Sequence, residues 1–275
     1  MGFNFFSWGG SPFWADVFFY QKWRIQRNCV SKSYRLLDPW DIIRHRGSFE
    51  SCRKAFVNYI DIYELPRQKG SMIIMLHSFG ENKNVFKPMW RRALERGYMA
   101  AAINYPSMQS DCESHIRQLI FLLNNMEDVS EVCFVTNGTG SLLLRKLLNI
   151  SAPWKKKLKI GRVVEINSWK KESKFVKWLS KFALTRWILG PMSLELNNDC
   201  IASIPDYPKG IEHGEIIKIL PTTGIYKLIP LKMREKISSN DNNINAMCIE
   251  QGMGSLVKNR NTVIAAINFI QLGHF

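Results

Sequence analysis

The chain has 275 residues, 46% of them hydrophobic and 22% charged, which excludes a disordered chain and gives one large domain ample core. Lys and Arg outnumber Asp and Glu 38 to 23, and the net charge of +15 either favours phosphate-rich partners or is spread thinly over the surface. Six cysteines (Cys29, Cys52, Cys112, Cys133, Cys200, Cys248) never form C-x-x-C, so no zinc site or disulfide framework is expected, and a reducing compartment is.

The opening M-G-F-N-F-F-S-W-G-G has no basic residue before Lys22 and no A-x-A site, so it reads as a poor signal peptide. Phe6 stands where a myristoylation signal wants Ser or Thr. No apolar run approaches the roughly 20 residues that span a bilayer, and a cytoplasmic protein, at most peripheral to a membrane, is expected. Residues 12–28 suggest a helix, with Ser11 as N-cap and Pro12 at its first position. Phe13, Trp14, Val17, Phe18 and Gln21 follow helical spacing, and Lys22, Arg24 and Arg27 come at the end where the helix dipole favours cations. Such a helix either packs its aromatic stripe on the domain or lies in a membrane interface. Residues 1–66 are therefore expected to form an N-terminal helical extension, and residues 67–275 the main domain.

From residue 71 strands and helices alternate. S-M-I-I-M-L (71–76) is a buried strand, and V-F-K-P-M-W-R-R-A-L-E-R (85–96) a helix closed by Gly97. Y-M-A-A-A-I-N-Y (98–105) is a second strand, followed by a helix over 110–125 with Ser110 and Glu113 as a capping box. E-V-C-F-V-T is a third strand, S-L-L-L-R-K-L-L a third helix and R-V-V-E-I-N (162–167) a fourth strand. Strict alternation with continuous apolar strands predicts an α/β fold, a mostly parallel central sheet covered by helices on both faces. Ligands of such sheets bind beyond the carboxyl ends of the strands. His77-Ser78-Phe79-Gly80 and the turn Thr136-Asn137-Gly138-Thr139-Gly140 both lie at those ends.

In that order, these segments resemble the α/β-hydrolase fold, and within it the bacterial serine esterases and lipases. Residues 77–80 are similar to the family's H-G-F-G segment, which supplies an oxyanion-hole amide, and residues 136–141 to its nucleophile elbow, T-H-S-L-G-G. V-V-E-I-N-S-W-K-K-E-S and the closing V-I-A-A-I-N-F-I-Q-L-G-H-F also resemble family segments. The resemblance covers roughly residues 70–275 and implies a helical lid insertion over 170–215. In that segment Phe175, Trp178, Leu179, Phe182, Arg186 and Leu189 share a face, amid five lysines that are either a solvated face or a second membrane contact.

The resemblance also implies a triad, and most of it is missing. The nucleophile position is Gly138, and the histidine position falls on Met253 or Gly254. Asp241 remains as the acid. None of the five histidines (His45, His77, His115, His213, His274) stands at the expected place. His77, Ser78, Phe79 and Thr139 would form the oxyanion pocket. Glycine relieves the strain of a positive φ at the elbow, so the fold survives without its nucleophile. Two functions follow. One is a non-catalytic protein that binds an acyl or lipid-like ligand or a protein partner. The other is an active carboxylic-ester hydrolase using His77, Ser78 and Asp241. A nucleotide reading of G-T-G-S-L-L, with Glu165 for a ribose, lacks the third small residue because Leu143 occupies it. No cofactor and no metal is implied, and the run W-K-K-K-L-K (154–159) lacks the interleaved aromatics of a specific nucleic-acid site.

Overall fold

The computed structural model describes residues 11–168, 192, 201–219, 245–252 and 254–275. Six parallel strands form the central sheet in the order β10-β9-β8-β7-β5-β6. They are β5 (Ser71–Leu76), β6 (Met99–Ile103), β7 (Glu131–Asn137), β8 (Lys159–Ile166), β9 (His213–Ile219) and β10 (Ala246–Glu250). Because β5 is covered on both sides, its alternate residues feed two cores. Met72, Ile74 and Leu76 join a cluster with α3 (Cys112–Asn124) and α4 (Gly140–Asn149). Ile73 and Met75 join one with α2 (Lys87–Glu95) and α5 (Arg260–Leu272). The fold is therefore α/β, as the alternation predicts. Helix α3 starts one residue later than expected: its N-cap is Asp111, which accepts from the Ser114 amide at 2.7 Å.

The predicted helix over 12–28 is instead a β-hairpin over residues 14–28, so this part of the expected helical extension is strand. Strands β1 (Trp14–Tyr20), β2 (Trp23–Asn28), β3 (Tyr34–Leu37) and β4 (Ile43–Gly47) form an antiparallel sheet, followed by the α-helix α1 (Phe49–Ile62). Gln21 and Lys22 make the two-residue turn with φ of 51° and 78°, the left-handed pair a tight hairpin requires. All seven residues of β1 are buried, so the run lacks the polar face that a surface helix must show. Phe19 enters the core beneath α3, while Val17, Phe18 and Tyr20 pack with Trp23 and Phe56 of α1. A bulge between Asp16 and Phe18 permits this split. These β1 aromatics are covered by protein, in a strand rather than the helix for which packing and a membrane contact are the two alternatives.

The sheets are joined by buried polar contacts. Asp16 Oδ2 accepts from Arg24 and from the Asn104 amide, each at 2.7 Å, and Oδ1 accepts from Gln26 Nε2 at 2.7 Å. Gln26 Oε1 in turn accepts from Arg35, whose guanidinium lies 3.9 Å from the Trp14 ring. Most of the lid-like span lies outside the described residues, and its last residues, from His213, belong to β9.

Candidate functional site

Strand β7 ends in a left-handed turn at Gly138, with φ of 51°, and α4 begins two residues later. The turn is tied at both sides: the Gly138 amide donates to Ile166 O at 3.0 Å, and its carbonyl accepts from the Ser141 hydroxyl at 2.8 Å. Ser141 is fully buried and is not presented outward. Gly140 must stay small, because a Cβ there would lie 2.5 Å from the Leu76 carbonyl oxygen. This close approach brings the end of β5 against the elbow.

The loop after β5 carries the expected pocket residues, and the amides of Ser78, Phe79 and Gly80 are each engaged by a side chain. The Ser78 amide donates to Glu81 Oε2 at 2.9 Å, and the Gly80 amide to Ser107 Oγ at 3.1 Å. Between them, the Phe79 amide donates to Thr139 Oγ1 at 2.7 Å. Reciprocally, the Thr139 amide donates to Ser78 Oγ at 3.3 Å. In a serine hydrolase the amide following the nucleophile and an amide of this loop are the two that stabilise the oxyanion. Here both carry hydroxyl caps. Asn137 Nδ2 adds a bond to Glu81 Oε2 at 2.7 Å, closing the loop over the elbow.

His77 is wholly buried and stacks on Tyr105, with centroids 4.0 Å apart and planes 7° apart. Its Nδ1 donates to Ser78 O at 2.8 Å, while Nε2 accepts from the Tyr105 amide at 3.5 Å. The Tyr105 hydroxyl donates to the His77 carbonyl. Both ring nitrogens are thus committed to backbone, and neither bonds the Ser78 hydroxyl that it would have to activate. Burial holds its pKa down at about 4. His115, next to Tyr105, is also held near 4, with burial as the largest cause.

Both histidines stay neutral in the folded chain and charge only on unfolding. Stability is therefore full above about pH 6.5 and falls as pH drops toward 4, and each fall from 6.5 to about 4 is worth on the order of 3 kcal/mol. Urea denaturation from pH 7 to 4 is expected to show this slope, with a clearly shallower one in His115→Leu. An unchanged slope in that variant would refute the assignment.

Sequence reasoning identified Gly138, His77, Ser78, Phe79 and Thr139; Gly138, Ser78, Phe79 and Thr139 come together at the turn, whereas the His77 ring is buried against Tyr105. It missed Glu81, Ser107, Asn137 and Tyr105, which hold the loop. Gly254, at φ of 135°, accepts from Lys218 at 3.4 Å. Asp241 and Met253 lie outside the described residues. Glu165, considered for a ribose, is buried beside a cavity of about 870 Å³ and accepts from Tyr207 Oη at 2.7 Å. Burial raises its pKa. Among the described residues no cluster could hold a metal ion, and no helix is long and apolar enough to cross a membrane.

A parallel sheet with both faces covered and a glycine elbow at the strand ends defines the class as an α/β protein. Solved structures with a similar architecture include a monoacylglycerol lipase from Paleococcus ferrophilus, at 11% identity and TM-score 0.42, covering 68% of this chain and 87% of that one. An esterase from Exiguobacterium antarcticum is similar at 13% identity and TM-score 0.43, over 74% of this chain and 93% of that one. A mutant epoxide hydrolase from Bacillus megaterium is similar at 12% identity and TM-score 0.43, over 75% and 95%. No family profile and no curated protein matches the sequence.

Proposed function

We propose that this chain is a hydrolase-like α/β protein that binds at its elbow without performing acyl transfer. The observation that carries this reading is the pair of hydroxyl caps, Thr139 Oγ1 on the Phe79 amide and Ser78 Oγ on the Thr139 amide. Acyl transfer needs a nucleophile, a base and free donors at the developing oxyanion. At Gly138 there is no side chain to attack, and the donors are already satisfied. An acyl or other apolar ligand fits the surroundings, since Phe79 packs against Leu142, Ile201 and Ile204 beside the turn. Set against the alternative centred on His77, Ser78 and Asp241, the buried and fully bonded His77 supports the non-catalytic reading. A fluorophosphonate probe, which labels activated serines, is expected to leave the purified chain unmodified. Labelling of Ser78 would overturn the proposal.

A further inference from the structure

A second cavity, of about 300 Å³, lies far from the elbow, between the β2–β3 turn and the start of α3. Arg27, Lys32 and Arg117 all line it, together with the hydroxyl-bearing Ser110 and Ser114 and the ring of Tyr34. No ion pair among the described residues engages any of the three cations. Arg27 Nε is closed to solvent and has no hydrogen-bond partner, leaving a buried donor unsatisfied. The guanidinium of Arg27 sits 6.0 Å from the Tyr34 ring, and Arg117 donates to Ser114 Oγ at 2.9 Å. Asp111, whose charge Arg117 helps to hold, has its Oδ1 on the Ser114 amide as the cap of α3.

We propose that this cavity is a binding site for a phosphate monoester. An anion entering a cavity lined by three cations, none of them in an ion pair among the described residues, is attracted by all of them. A phosphoryl dianion supplies that charge and accepts from a planar guanidinium in the fork geometry that suits it. The serine hydroxyls offer further donors, and the positive end of α3 adds to the same field. Tyr34 gives the organic remainder of the ester an aromatic wall. Soluble phosphate esters and the headgroup of phosphatidic acid share this chemistry.

The test uses the full chain. Inorganic phosphate and glycerol phosphate are expected to raise its melting temperature at an ionic strength where chloride does not. Arg27→Gln is expected to weaken phosphate binding about 10-fold or more, the loss of one charge-assisted hydrogen bond. Arg117→Gln, an exposed change that leaves the fold undisturbed, is expected to weaken it as well, whereas Lys156→Gln, which removes the same charge elsewhere, is not. Co-sedimentation with phosphatidylcholine vesicles containing phosphatidic acid separates the sources: Arg117-dependent binding identifies a lipid headgroup, and binding of the soluble ester alone identifies a free metabolite. Equal stabilisation by chloride, or equal weakening by Lys156→Gln, would overturn the proposal.

Discussion

Asp16→Ala is expected to lower the unfolding free energy by about 3–5 kcal/mol, the range for removing one partner of a buried ion pair. Asp16 is 1% exposed, and its carboxylate accepts from Arg24, Gln26 Nε2 and the Asn104 amide. Alanine leaves the guanidinium of Arg24, a residue only 8% exposed, without its counter-charge. It also removes the bond that fixes Gln26, through which Arg35 is held. Burial lowers the Arg35 pKa to about 10, so this second cation depends on the network too. Urea denaturation of wild type and variant measures the effect. Glu127→Ala, which breaks a more exposed pair with Arg53, serves as the contrast and is expected to change stability by no more than about 1 kcal/mol. A loss below that size in Asp16→Ala would refute this account of how the N-terminal sheet is held.

The second large effect concerns the elbow. Gly138→Ser with Met253→His, which puts serine and histidine at the two positions where the resemblance implies them, is expected to give no measurable hydrolysis of an acetyl ester. Serine at Gly138 must adopt a φ near 51°, a strain of order 1 kcal/mol, so the variant still folds. What it lacks is a place for the oxyanion, because Ser78 and Thr139 cap both donors. Adding Ser78→Gly and Thr139→Ala uncovers those amides. Since one oxyanion donor is worth about 10²–10³ in kcat, the quadruple variant is expected to exceed the double by at least about 10²-fold. Robust activity in the double variant, or none gained in the quadruple, would show that the caps are not what closes the site.

Strands β5 to β8 are legible in the sequence because each is a short apolar run between polar or glycine-bearing turns, and burial on both faces leaves no competing period. The N-terminal hairpin is not. Phe13, Trp14, Val17 and Phe18 fit a helical stripe, and nothing marks Gln21-Lys22 as a turn, since neither is the Gly or Asn that such turns favour. The partner that decides the matter is Asn104, 88 positions away. Gly138 is legible as a glycine between strand and helix. The caps are illegible for the same reason as the hairpin, because Phe79 and Thr139 stand 60 positions apart. A local pattern exposes what a turn lacks but not what has moved in from elsewhere to fill it.

The separation between Asp16 and Asn104 also orders events during synthesis. The hairpin leaves the ribosome first, but the backbone that its aspartate grips follows only 88 residues later. At roughly 5–20 residues per second, β1 waits several seconds with an aromatic edge uncovered. Asn104 directly precedes Tyr105, whose hydroxyl holds the His77 carbonyl, and Ser107, which receives the Gly80 amide. The first strands made therefore help to support the loop that follows β5. The nascent chain has an interval in which a chaperone, or another copy of itself, can reach that edge before its own sixth strand arrives.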